Sequence, residues 1–242
     1  MNSAASNPGL FPRMGIDLFL RSEAELLQQW AIRRPAATGW FCAGLIIIGA
    51  GFYGAAIGSW RDGWQALFTG IKVPLVILLT TLGNGLLNGM LAPLLGLNIP
   101  FRQAFVLVLL SFAMASLILA GLSPVVWFVV WNTPPLSGMT SLSSPEYGLL
   151  QLILAGFTAF AGIMGNVRLW PLLRNGTQTE GVAFRVLLAW LAANLFLGSQ
   201  IAWVLRPFIW DPARPVEFIG QQYLHGSFYE TIFDAARRLI VP

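Results

Sequence analysis

Few side chains in this sequence could perform covalent or acid–base chemistry. The one histidine, His225, lies in a polar tail near the carboxyl end, so a hydrolase built on Ser and His has no base inside the apolar segments. There is no Gly-x-Ser-x-Gly elbow. The one cysteine, Cys42, sits in the first long apolar run, which leaves neither a disulfide framework nor a thiolate cluster for zinc or iron–sulfur. It reads as a small buried hydrophobe. Haem in a bundle core wants an axial His and a di-metal centre wants Glu-x-x-His pairs, and neither falls in an apolar run. The string Gly49-Ala50-Gly51-Phe52-Tyr53-Gly54 spells G-x-G-x-x-G, but within an apolar helix rather than after a strand, so it does not point to a dinucleotide. The sequence therefore predicts no catalytic residue, no metal ligand and no cofactor.

What remains is a set of neutral amides and one placed arginine. Asn84 and Asn88 lie four apart in an apolar run, which puts both on one side of a helix. Asn166 falls near the end of a later run, and Asn194 and Gln200 in the last. Ionisable groups inside a membrane mark proton or substrate routes and cost about 2.5 to 3.5 kcal/mol at a helix centre. These runs hold almost none. The amides have two readings: interhelical hydrogen bonds, worth about 0.6 kcal/mol on average, or the lining of a polar path in which Asn84 and Asn88 face Asn194 and Gln200. Arg206 follows the last run and is fixed by Pro207, so its guanidinium belongs at the headgroup boundary or against polar groups of the bundle. There it either snorkels or binds bidentately to a carboxylate, a lipid phosphate or helix-end carbonyls.

The elements that carry these residues follow from composition. Hydrophobic residues make up 56% of 242 positions and charged residues 10%, against roughly a quarter charged in a soluble domain. Lipid must be part of the solvent. About 20 mainly apolar residues are needed to cross a hydrocarbon core of roughly 30 Å, and five runs meet that length. The predicted fold is all-α, a polytopic membrane helix bundle of about five transmembrane helices with amphipathic flanking helices. Residues 1–38 form the amino-terminal segment, 39–208 the bundle and 209–242 an interfacial tail.

The first span covers about residues 40–60, with Trp40 and Trp60 at its ends where indole prefers the headgroups. Its Gly51, Gly54, Ala55 and Gly58 make small-xxx-small pairs for close helix approach. The second, about residues 73–95, is punctuated by Pro74, Gly83, Gly85, Gly89 and Pro93, so it must be packed inside the bundle or line a cavity. The third runs from residue 101 or 104 to 122, where Ser123-Pro124 ends or kinks it, or continues to Trp131. The fourth, about residues 147–169, carries Gly156, Gly162 and Gly165 as a second close-packing face. The fifth covers about residues 184–205. Apolar positions at helical spacing predict an amphipathic helix over residues 16–32. Ser227 with Glu230, followed by Phe228, Ile232, Ala236 and Leu239 on one stripe, predicts another at the carboxyl end.

The net charge of +4 comes from basic residues that mostly flank these runs, all but Lys72 being arginine, which reads as membrane topology rather than nucleic-acid binding. With the amino terminus cytoplasmic, Arg13, Arg21, Arg33, Arg34, Arg102, Arg168, Arg174 and Arg185 lie inside, and only Arg61 and Lys72 lie in outer loops. The tail is then extracytoplasmic, its four arginines balanced by Asp211, Glu217, Glu230 and Asp234.

Two stretches carry a resemblance. Gly198-Ser199-Gln200-Ile201-Ala202-Trp203-Val204-Leu205-Arg206-Pro207-Phe208-Ile209, together with Gly226-Ser227-Phe228-Tyr229-Glu230, resembles a family of bacterial polytopic inner-membrane proteins with no assigned activity. The likeness extends back through Lys72-Val73-Pro74 and Leu94-Leu95-Gly96 to about Gly70. In architecture alone, five spans with a cytoplasmic amino terminus are similar to Yip1-type proteins of membrane traffic. The resemblance implies a bacterial inner membrane and no chemistry.

The sequence thus puts first a non-catalytic membrane scaffold or accessory subunit, whose partners are the lipid bilayer and other membrane protein subunits or a second copy of itself. The alternative is a small channel or transporter with a polar path between the broken second span and the fifth.

Overall fold

The structure, a computed structural model, describes residues 33–97, 99–134, 145–175, 179–206, 216–218 and 228–240. Their helices are α1 (Pro35–Gly58), α2 (Gly63–Leu94), α3 (Phe101–Asn132), α4 (Pro145–Val167), α5 (Trp170–Asn175), α6 (Glu180–Leu205) and α7 (Phe228–Ile240). All but α5 and α7 are long and apolar enough to cross a membrane. The described residues form an all-helical membrane bundle with five spans. The amphipathic helix expected over residues 16–32 lies outside the described residues.

Local chemistry sets the ends of these helices. Pro35 opens α1 at a position that needs no amide donor. Asp62 caps α2, its Oδ1 accepting from the Gln65 amide at 2.6 Å. At the other end of α2 the Leu97 amide donates to the Ala92 carbonyl (2.9 Å) and the Gly96 amide to Pro93 (3.1 Å), with Gly96 at φ 89°. That is a Schellman closure, and it needs glycine at the left-handed position.

Neither Pro74 nor Pro93 breaks α2, which is one helix of 32 residues. Pro74 removes the amide that would bond the Gly70 carbonyl. That carbonyl lies against Gly51 of α1, whose missing side chain leaves a Cα–H to approach it. α3 likewise runs through Pro124 to Asn132, which settles the expected kink in favour of continuation. At 32 residues each, α2 and α3 are about 48 Å long and must tilt or project beyond a core of roughly 30 Å.

The glycines show how the helices are assembled. A Cβ on Gly54 or Gly58 would strike the backbone of Thr69 or Gln65, so α1 and α2 are antiparallel and in backbone contact. Gly49 meets Ser116 of α3, and Gly165 of α4 meets the Ser111 carbonyl of α3. Gly85 and Gly89 receive the rings of Phe105 and Phe101 from α3. Close approach supplies the dispersion attraction that apolar burial cannot supply between helices in lipid. Gly51, Gly54, Gly58 and Gly165 are therefore packing positions. Gly156 and Gly162 are not: nothing lies within 4 Å of a Cβ on either. The fourth span packs on the bundle through Gly165 and points its other two glycines outward.

Candidate functional site

α2 is built inside out. Its exposed side chains are apolar, Leu79, Leu82, Leu86, Leu87, Met90 and Leu94, while Thr80, Thr81, Asn84 and Asn88 are buried. A soluble helix shows the reverse arrangement. The apolar stripe meets lipid, so the polar stripe has to meet the inside of the bundle.

Contacts with the neighbouring helices fix where that stripe points. Gly83 lies against Leu197 and Thr80 against Gly198, both on α6, while Gly85 and Gly89 lie against α3. At 100° per residue, Asn84 and Asn88 fall on the arc between the α6-facing and α3-facing positions. Both side chains are 0% exposed. The same two contacts set an antiparallel register that puts Asn194 level with Asn84 and Trp190 level with Asn88.

The buried polar atoms here divide into satisfied and unsatisfied. Thr80 and Thr81 donate to the Val76 and Ile77 carbonyls of their own helix at 2.7 Å. Asn194 Nδ2 donates to Asn166 Oδ1 at 2.8 Å, and Asn166 Nδ2 to the Gly162 carbonyl at 2.8 Å, a polar link between α6 and α4. Among the described residues, both amide atoms of Asn84 and of Asn88 lack a partner, as do Asn194 Oδ1, Trp190 Nε1 and Ser111 Oγ. A stranded buried polar group costs about 1–3 kcal/mol. The four amide atoms on α2 would together cost about 4–12 kcal/mol, comparable to the whole stability of a domain. Buried polar groups are ordinarily hydrogen-bonded, so four unpartnered amide atoms on one face of α2 mark that face as the candidate site.

Of the predicted path, the register puts Asn84, Asn88 and Asn194 along the contact of α2 with α6, and Gln200 away from them. Gln200 is half-buried and six residues past Asn194, about 120° round the helix. Trp190 falls level with Asn88 on α6 instead. Trp190 was legible as the residue one turn before Asn194, but a tryptophan in a span reads first as packing.

Two basic residues lie elsewhere. Lys72, taken from the sequence as an outer-loop residue, is inside α2 and 2% exposed. Its Nζ donates to the Glu217 carbonyl at 3.4 Å and stands 5.2 Å from the Phe218 ring centre. Phe218 also meets Phe68 edge to face at 5.6 Å. Glu217 and Phe218 therefore lie against α2. Arg206 caps α6 in the left-handed conformation, φ 43° and ψ 62°, at a cost of roughly 1–2 kcal/mol for a residue with a Cβ. Its guanidinium lies 4.4 Å over the Trp203 ring. At the same end of the bundle Trp60 stacks on Tyr147 at 5.9 Å, and the Tyr53 hydroxyl donates to the Leu154 carbonyl at 3.0 Å, tying α1 to α4.

Comparison of the chain with protein-family models, with curated proteins and with solved structures yields no match.

Proposed function

We propose that this protein is a small channel or transporter for an uncharged polar solute, with the amides of Asn84 and Asn88 as its binding groups. One observation carries the reading: four amide atoms wholly buried in a membrane helix without a protein partner among the described residues. Each amide offers a donor and an acceptor and no net charge, which suits a solute such as water, urea or a polyol better than an ion. Asn194 Oδ1 and Trp190 Nε1 extend the lining across the contact with α6. Nothing in this reading asks for catalysis. The interior amides support this reading over the scaffold that the sequence put first.

The test is osmotic. Purified protein in liposomes should speed the volume response to a urea or glycerol gradient, and Asn84→Leu and Asn88→Leu should return it to the rate of empty vesicles. A wild-type rate equal to that of empty vesicles for water, urea and glycerol overturns the proposal.

A second reading, the scaffold or accessory subunit, is favoured by α4. Gly156 and Gly162 face open space, beside exposed Phe160 and Ile163, leaving a surface that a helix of another subunit or of a second copy could approach closely. Cross-linking between cysteines placed at Gly162 would support it, and a monomer in native membranes would remove it. The same proposal places the chain in a bacterial inner membrane with a cytoplasmic amino terminus, on the basic-residue asymmetry and the resemblance carried by residues 198–209 and 226–230.

A further inference from the structure

A backbone carbonyl accepts hydrogen bonds and never donates them, and in α4 that fixes the direction of two buried amides in turn. Asn166, 3% exposed, directs its NH₂ to the Gly162 carbonyl one turn back on its own helix, at 2.8 Å. Its Oδ1 is thereby left to face α6. There it accepts from Asn194 Nδ2, also at 2.8 Å. Reversing Asn166 would set its oxygen against the Gly162 oxygen, and reversing Asn194 would set its oxygen against Asn166 Oδ1. Each reversal replaces a buried hydrogen bond by a repulsion between two acceptors.

With the NH₂ of Asn194 committed to α4, the atom left over is Oδ1, buried and without a partner among the described residues. Asn84 and Asn88 have no such tether. Neither amide atom of either residue has a partner among the described residues, so each amide can turn to present a donor or an acceptor. Of the three amides along the contact of α2 with α6, two are adaptable and one is an acceptor of fixed sense. Trp190, one turn earlier on α6, is its complement: its Nε1 can only donate, and it too lacks a partner among the described residues.

We propose that Asn166 is a positioning residue of the solute path, and that by holding Asn194 Oδ1 as an acceptor it selects solutes that carry N–H or O–H donors. Primary amides and ureas would then be preferred to carbonyl compounds of the same size that have no donor. This selectivity rests on the path proposed above and adds what the amides of α2 alone do not give. A solute with acceptors only leaves Asn194 Oδ1 buried and unmet, the penalty by which a site built for a hydrogen bond rejects the analogue lacking it.

Two isomeric, uncharged amides test it as competitors: propionamide, which has N–H donors, and N,N-dimethylformamide, which has none. Each is placed at equal concentration inside and outside liposomes carrying the full-length protein, and urea entry is followed by the osmotic volume response. Propionamide should slow protein-mediated urea entry at about tenfold lower concentration than dimethylformamide, the discrimination of about one hydrogen bond. In Asn166→Leu the Asn194 amide loses the group that directs it, and the two isomers should become equal competitors. A residue that served only to join α4 to α6 would alter the urea rate and leave the ratio of the isomers as it was. Asn166→Asp should restore the preference, because the carboxyl offers Asn194 an acceptor whether it is charged or protonated. Equal competition by the isomers in wild type, or none by either, overturns the inference and leaves the urea path standing. So does a preference that survives in Asn166→Leu or, where that variant does not accumulate, one that is lost in Asn166→Asp. Urea entry no faster than in empty vesicles overturns the path itself, and the selectivity with it.

Discussion

Replacing Asn84 or Asn88 by leucine keeps a branched side chain with the same number of heavy atoms and removes two buried polar atoms, and the sign of the stability change distinguishes a dry interior from an occupied one. Suppose first that the interior is dry. Each asparagine then strands an NH₂ and a carbonyl, and leucine relieves about 2–6 kcal/mol. Suppose instead that water or a solute satisfies these amides. Leucine then displaces the occupant and leaves the level groups, Asn194 Oδ1 and Trp190 Nε1, without it, a loss of about 1–3 kcal/mol. The occupied interior is expected. Reversible unfolding in mixed detergent, monitored by circular dichroism, should therefore show Asn84→Leu and Asn88→Leu less stable than wild type. The double variant should cost less than the sum of the two, because both contact one occupant. Asn194→Leu is the internal control: it strands Asn166 Oδ1 on either view and should destabilise by about 1–3 kcal/mol. A rise of about 2 kcal/mol or more in both single variants on α2 would show that the amides sit dry, and the solute path would go with them.

Gly54→Leu should unfold well below wild type in detergent, since even a Cβ there meets the Thr69 backbone, whereas Gly162→Leu should leave monomer stability unchanged. Parallel melting curves check this, and equal loss in both would refute the distinction. In a Cys42→Ser background, cysteine placed at Ser141 should react with a membrane-impermeant thiol reagent on intact cells, and cysteines at Ser22 and Thr177 should not. Reaction at Ser22→Cys would invert the orientation. Lys72 is the one lysine of the chain, so an amine reagent reports on it alone once the amino terminus is blocked. It should be slow to react in the native protein and at least several-fold faster in Phe218→Ala, which uncovers it; equal rates would show that Phe218 does not seal that site.

The spans were legible because membrane burial writes itself in runs of apolar residues, and the helix ends fell close to the sequence boundaries wherever aromatic or capping residues marked them. The first span ends beside Trp60, and α7 opens at Phe228, just after the Ser227 of its capping pattern. The second span was the exception. Its sequence boundary stopped at Val73 because a charge next to an apolar run reads as the end of it, yet α2 begins ten residues earlier at Gly63. The contacts that accommodate Lys72 come from Glu217 and Phe218, some 145 residues further on, and no local pattern announces them. Periodicity placed Asn84 and Asn88 on one face but could not say which helix that face meets. The same holds for the glycines. Gly54 and Gly162 both belong to small-residue patterns, and only assembly decides that one meets a backbone and the other open space.

The length of α6 ties these features together. Counting on from Gly198 opposite Thr80, its last residue, Leu205, comes level with Val73 of α2. Lys72 and Arg206 therefore stand just past the carboxyl end of α6, where unpaired carbonyls carry roughly half a negative charge and favour cations. Because α6 stops there while α2 continues to Gly63 and α4 back to Pro145, the bundle has room at that end for Glu217, Phe218 and α7. Glu217 and Phe218 fill it beside α2, and α7 fills it beside α4. Below that level α6 completes the bundle and brings Asn194 and Trp190 to the amides of α2. One helix terminus thus separates an end where Lys72 and Arg206 stand from a neutral interior that holds the amides of α2. On the channel proposal, changes at Asn84 or Asn88 should therefore alter solute flux, and changes at Arg206 should leave it little altered.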